Sequence, residues 1–129
     1  MRRVRAARRA IEKAGVSADE IDHVNAHATS TPEGDKAELQ AIKTILGDRA
    51  ASVPVTANKS MIGHTLGAAG AIEAISTIMT MRDSCIPPTI NLDRPDPEAD
   101  GIPLVTGSAL GQQVRLALSN SFGFGGQNT

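Results

Sequence analysis

Four side chains give this sequence its chemical interest: His27, Lys59, His64 and Glu73. Lys59 and His64 lie in the run Lys-Ser-Met-Ile-Gly-His-Thr-Leu-Gly-Ala-Ala-Gly, residues 59–70, which leads into the apolar stretch 71–81. His64 falls where that stretch would begin a helix. The positive end of a helix disfavours imidazolium, so a neutral N–H donor is expected there. Such a donor suits polarising a carbonyl oxygen or holding a developing enolate. The plain alternative is a capping histidine beside a surface lysine. It explains a lone Gly-His pair, but not all these groups together. Glu73 sits inside the apolar stretch, where a carboxylate must be paired, and Lys59 is the nearest cation in sequence. His64 and Glu73 are nine residues apart, on nearly opposite sides of a continuous helix, so Glu73 serves Lys59 rather than His64. Glycine costs a helix about 1 kcal/mol relative to alanine. Gly67 and Gly70 therefore predict a close neighbour, and the apolar run predicts a buried helix.

Short strands are needed to deliver these groups. Residues 21–26 read as a strand that carries His27 into the loop Ala-Thr-Ser-Thr-Pro-Glu-Gly-Asp, residues 28–35. Residues 53–56 read as a second strand, feeding the 59–70 run. Both histidines thus follow strands, and loops at the carboxyl ends of strands are where α/β proteins hold ligands. Thr29, Ser30 and Thr31 offer hydroxyls to an amide-rich ligand, or equally make turns and cap the next helix. That helix is predicted over 35–46. Residues 2–14 form a basic helix ended by Gly15. Its arginines read as a solvated face first, then as an acidic-partner surface or a transit-like start. Prolines 87, 88, 95 and 97 predict an extended wrapping segment. Residues 102–105 and 114–118 read as two more strands. Phe122 and Phe124 alternate with glycine near the end, as a flexible tail or a gate over a pocket. His23 has no companions and reads as structural. Cys85 has no basic neighbour and reads as a packing residue.

The 129 residues fit one domain. Aromatics are 2%, with no Trp or Tyr, so the core must be aliphatic. A net charge of -1 excludes a generally basic nucleic-acid binder. One cysteine excludes an internal disulfide and fits a reducing compartment. No apolar run reaches the length of a membrane span, and no secretory signal is present. A cytoplasmic protein is the expectation. Zinc-type spacing and phosphate-binding glycine fingerprints are absent, so no metal or cofactor is expected from the residues alone.

Three segments resemble the β-ketoacyl-acyl carrier protein synthases, in particular the elongating type II condensing enzymes: residues 24–35, residues 59–70 with Glu73, and residues 120–126. Order and spacing fit from about Ile11 to Asn128. Ketosynthase domains of polyketide synthases share much of the pattern. The resemblance implies an α/β, thiolase-like fold, of which this chain is the C-terminal half of a layered α-β-α-β-α sandwich. It implies a decarboxylative Claisen condensation, with His27 and His64 hydrogen-bonding the malonyl thioester oxygen. Lys59 would be the site lysine, paired with Glu73 and helped by Asp35. Thr29 and Thr31 would contact the phosphopantetheine arm, Phe124 would be the gating ring, and Phe122 lies in its loop. Asn25, Glu73, Ser119 and Asn120 match positions that in some members surround a monovalent cation. Acyl carrier protein is the implied partner, and full-length members are expected to be homodimers.

Two departures from the family pattern stand out. Ala28 occupies a position where many members have glycine. The family's nucleophilic cysteine belongs to its first half, and Cys85 does not match it. Residues 1–129 are therefore expected to be a domain truncated at both ends, inactive alone, with a large apolar face exposed. The competing expectations are a polyketide ketosynthase and a non-catalytic carrier-binding or chain-length partner.

Overall fold

Residues 2–129, the side chain of Phe124 excepted, are described by a computed structural model of the chain. Helix α1 (Arg2–Ala14) turns most of its arginines to solvent, buries Ala7 and leans Ile11 on the core. Gly15, at φ +69°, ends it. Ser17 then builds a capping box with Glu20, whose carboxylate accepts from Ser17 N at 2.7 Å. The chain leaves that turn for strand β1 (His23–Asn25). Helix α2 (Pro32–Leu46) begins three residues before the predicted start at Asp35. Pro32 sits in its first turn, where a missing N–H costs nothing.

Strand β2 (Val55–Thr56), the short helix α3 (Lys59–Ile62) and helix α4 (Ala69–Asp83) follow. Strands β3 (Cys85–Ile86) and β4 (Leu110–Gly111) form an antiparallel pair, and β5 (Ala117–Ser119) returns to the main sheet. That sheet has the order β2-β1-β5 and is parallel throughout. Val24 pairs with Val55 and Leu118, and Asn25 pairs with Thr56 and Ser119. The strands are shorter than the sequence predicts, and residues 102–105 contribute only a parallel bridge between Leu104 and Val55. Pro54 and Pro103 remove ladder donors at those places, which limits pairing.

Helix α2 covers one face of the sheet. Ile21, Val24, Ala26, Ile42, Leu46, Val53, Val55 and Ile102 form the core there, with α1 packed on α2. Helix α4 lies against β5, and Asn25 of β1 reaches its Thr77. The layers run helix, sheet, helix. The proline-rich segment is pinned by hydroxyls: Thr56 Oγ1 donates to Pro87 O at 2.6 Å, Thr89 Oγ1 accepts from Ala57 N at 2.9 Å, and Ser60 Oγ accepts from Ile90 N at 3.0 Å.

Two expectations are corrected in α4. Its buried residues are Ala69, Glu73, Thr77 and Thr80, a mostly polar stripe turned toward the sheet. Ile75 and Ile78 are 59% and 63% exposed, and Leu66, just ahead of the helix, is 77% exposed. The helix is therefore inside out rather than buried all round. Gly67 and Gly70 do not meet the tight neighbour that was expected: a Cβ on Gly67 would find open space, and one on Gly70 only Ser121 Oγ at 3.4 Å. The cause is common to all of these. The apolar side of α4 faces away from every other element described. An exposed apolar face is present on this helix.

Candidate active site

The carboxyl ends of the three parallel strands converge, and each carries part of one cluster. His27 follows β1, Lys59 and His64 follow β2, and Asn120 and Phe122 follow β5. The His27 and His64 rings lie perpendicular with centroids 5.6 Å apart. The Phe122 ring also packs on His27, with centroids 5.5 Å apart. A hydrogen bond needs about 2.9 Å between a ring nitrogen and an oxygen, so one oxygen beside the pair is within reach of both imidazoles. Leu66 N donates to His64 Nδ1 at 3.3 Å, which assigns Nδ1 as the acceptor and leaves Nε2 as the N–H of that tautomer. His27 Nδ1 is buried with no protein partner. It is one of the few buried polar side-chain atoms left unpaired among the described residues. Burial, then the charges of Lys59, His64 and Arg3, lower the His27 pKa to about 4. At neutral pH this ring is an uncharged donor.

Lys59 Nζ donates to Glu73 Oε1 in a fully buried ion pair. Glu73 Oε2 and Asn25 Oδ1 have no partner among the described residues. Asn25 Nδ2 donates weakly to Thr77 Oγ1 and Ser119 Oγ, both at 3.4 Å, and Asn120 N donates to Asn25 O at 3.0 Å, while the Asn120 side chain turns to Glu38. Asp35 makes no ion pair with Lys59 among the described residues. Its half-buried carboxyl faces the backbone amides of Thr29, Ser30 and Thr31, and burial raises its pKa against their pull. Helping Lys59 directly is therefore not what this geometry shows. Thr29 Oγ1 and Thr31 Oγ1 lie 3.3 Å apart. Thr31 occupies the cap position of α2 without a side-chain capping bond, which disfavours the turn-and-cap reading of these hydroxyls. Residues 121–129 form a small hairpin, with Ser121 N to Thr129 O at 2.7 Å and Gly123 N to Gln127 O at 2.7 Å. The gating role expected of the Phe124 side chain lies outside the described residues.

Glu38 is the residue that sequence reasoning missed. Its carboxylate accepts from His27 N and Ala28 N, both at 2.8 Å, and from Asn120 Nδ2 at 3.0 Å. One buried side chain thereby ties the loop after β1 to the loop after β5. Burial raises its pKa, and these three bonds oppose the rise. A signal was present: Glu38, Ile42 and Leu46 recur at helical spacing, and the latter two are core positions of α2.

The loop that Glu38 holds is strained. Ala28 sits at φ +31° and Ser30 at φ +61°. The left-handed region costs a non-glycine residue about 1–2 kcal/mol. Glycine also raises the entropy of the unfolded chain by about 0.4–1 kcal/mol. Ala28→Gly is therefore expected to stabilise the fold by about 0.5–1 kcal/mol, read as a higher urea midpoint with an unchanged slope. A lower midpoint would show that Ala28 is not strained. Gly34 cannot be replaced so freely, because a Cβ there would fall 2.2 Å from Thr31 Oγ1.

A cavity of about 450 Å³ opens beside the cluster, lined in part by Thr29, Ser30, Lys59, His64, Leu39 and Leu92. His27 is not among its walls. Cys85 lies at the far end of α4 from His64. The 15 residues of that helix span about 22 Å, so Cys85 is no nucleophile for this cluster. Among the described residues there is no group of histidine, cysteine and acidic side chains fit to hold a metal ion. None of the described helices is long and apolar enough to cross a membrane.

The family described as Beta-ketoacyl synthase, C-terminal domain, matches residues 1–93. A 3-oxoacyl-[acyl-carrier-protein] synthase 2 of Synechocystis is 47% identical over 119 residues, covering 92% of this chain and 28% of that protein. The protein of the same name in Vibrio cholerae is 50% identical over 121 residues, covering 92% and 29%. The chain thus spans less than a third of the length of these relatives. A β-ketoacyl synthase from Burkholderia phymatum superposes with a TM-score of 0.90 at 42% identity, over 97% of this chain and 30% of that one. A type II polyketide ketosynthase, solved with its acyl carrier protein and bound to a hexaketide, gives 0.91 at 34% identity, over 95% and 30%. The fold is accordingly the thiolase-like α/β arrangement of these ketosynthases.

Proposed function

Because the chain belongs to the β-ketoacyl synthase family, we propose that it supplies the His27/His64/Lys59 part of a 3-oxoacyl-[acyl-carrier-protein] synthase site. The observation that carries this reading is the pair of perpendicular imidazoles, 5.6 Å apart, at the convergent ends of β1 and β2. Malonyl-carrier protein places its thioester oxygen between them. As the bond from Cα to the carboxylate breaks and CO2 leaves, the electron pair passes into the thioester carbonyl, and both N–H groups hold the enolate oxygen. Preorganised donors act here without a metal. The enolate carbon then attacks the acyl thioester on a cysteine, the new carbon–carbon bond forms, and the thiolate departs. That cysteine is not Cys85, so the chain needs a cysteine-bearing half and is inactive alone. Thr29 and Thr31 flank the approach of the phosphopantetheine arm, and Phe122 packs against His27.

Asn25, Glu73, Ser119 and Asn120 fit a monovalent cation, because Asn25 Oδ1 and Glu73 Oε2 are buried oxygens without partners. A cation held there would meet these two oxygens. The acyl carrier protein is the proposed partner. The exposed arginines of α1, Arg5 and Arg9 among them, are a surface it could use.

A fatty-acid substrate is favoured over a polyketide one because relatives named 3-oxoacyl-[acyl-carrier-protein] synthase 2 are 45–50% identical. The polyketide ketosynthase structure is 34% identical. A purely non-catalytic role would not require His27, His64 and Lys59 together. The test is formation of 3-oxoacyl product from malonyl- and acyl-carrier protein, followed by mass spectrometry. Product is expected when the cysteine-bearing half is present and not from residues 1–129 alone. No product from the complete pair would sink the reading, and product from the chain alone would displace the cysteine argument.

A further inference from the structure

We propose that Arg3 is a positioning residue that clamps together two walls of the histidine site, the start of α2 and the hairpin 121–129; the functional meaning of the clamp rests on the enolate-holding role given above to His27. Arg3 is half-buried, whereas Arg2, Arg5, Arg8 and Arg9 of the same helix are exposed. Its Nη1 donates to Gly34 O at 2.7 Å, in the first turn of α2. The same guanidinium lies over the Phe122 ring, 4.9 Å from its centroid, and that ring is the one packed on His27. A guanidinium can do both at once, because it is planar: it stacks by its face and donates by its edge. An ammonium has no such shape.

Arg2 supports the same clamp one residue earlier. Its Nη1 donates to Gly125 O at 3.4 Å, and a Cβ on Gly126 would fall 2.6 Å from that nitrogen. The backbone bonds of the hairpin close it upon itself, through Ser121 with Thr129 and Gly123 with Gln127. Its tie to α1 is through these two arginines. Helix α1 is thus more than a solvated basic face. Its first turn reaches the ring that backs His27 and the helix that follows the His27 loop.

Charge gives the clamp a second consequence. The groups acting on His27 are Arg3 from α1, Lys59 from α3, His64 from the following loop, and Glu38 of α2, whose carboxylate holds His27 N. Arg3 is one of three positive or titratable neighbours that favour the uncharged ring. Its removal moves the His27 titration upward, while a lysine in its place keeps most of the charge and loses the stacked fork.

The experiment compares the parent protein with Arg3→Lys, Arg3→Met and the exposed control Arg8→Met by hydrogen exchange and imidazole NMR. Both Arg3 variants are expected to speed amide exchange about tenfold over residues 119–129 and 31–36. The control and the core strands are expected to stay unchanged. The His27 midpoint is expected to rise in Arg3→Met and to stay near the parent value in Arg3→Lys. Unchanged exchange in both Arg3 variants, or an equal acceleration over the whole chain, overturns the proposal. Should Arg3→Met fail to fold, Arg3→Lys alone decides it through the local exchange. Neither readout requires condensation, so failure of the clamp and failure of the enzymatic reading give different results.

Discussion

Replacing Lys59 by methionine is expected to cost the fold about 3–5 kcal/mol, and replacing Glu73 as well is expected to restore most of that loss. Lys59 and Glu73 are buried side by side, and Lys59 Nζ donates directly to the Glu73 carboxylate. Each charge has left water, and each is tolerated because the other is present. Removing one leaves an uncompensated charge in the low-dielectric layer between α4 and the sheet. Glu73 is the worse partner to strand, since its Oε2 already has no partner among the described residues. Removing both, with Lys59→Met and Glu73→Leu, exchanges a desolvated pair for apolar volume. Chemical denaturation of the parent, the two single variants and the double variant gives the coupling directly. Singles within about 1 kcal/mol of the parent would show that water reaches the pair. A double variant as unstable as the sum of its singles would show that the two side chains do not depend on each other.

The histidines were readable because each comes in the connection that follows a short strand, and parallel strands bring their carboxyl ends to one edge. Lys59 and Glu73 were readable for a different reason. An acid inside an apolar stretch needs a cation, and the nearest one upstream was Lys59, fourteen residues away. Glu38 stayed hidden because a glutamate on an amphipathic helix is normally solvated, and only the fold shows that its face is covered by the loops after β1 and β5. The help expected of Asp35 toward Lys59 came from the resemblance alone, and only the fold shows the loop amides that face its carboxyl. The outer face of α4 defeats reading from composition altogether. Ile75 and Ile78 mark a surface that must be covered, but periodicity does not say by what. The polar stripe Glu73, Thr77 and Thr80 is the side this chain itself buries. Proximity to Arg3 was equally beyond sequence reasoning, since its two contacts come from residues 34 and 122.

His27→Ala, in the protein supplied with its nucleophilic half, is expected to lower malonyl decarboxylation by about 10²–10³-fold, the typical cost of one oxyanion donor. Transfer of the acyl chain to the cysteine is expected to change far less, because no enolate forms in that step. The two half-reactions therefore separate the proposed role from general damage to the site. His64→Ala is expected to behave in the same way, and the double variant to lose less than the product of the two, since both rings serve one oxygen. The pH profile adds an independent check. An ordinary histidine titrates near 6.5, but burial and the surrounding cations take His27 down to about 4. A lowered pKa means that the neutral donor is retained as pH falls. Decarboxylation limited by this ring is expected to hold its rate from neutrality to about pH 5 and to decline only as pH approaches 4. His27→Asn, which keeps an N–H but cannot take up a proton in this range, is expected to recover part of the rate and to lose that acid limb. If decarboxylation and acyl transfer fall together in His27→Ala, the ring is a scaffold for the loop that Glu38 holds. In that case the enolate must be stabilised elsewhere.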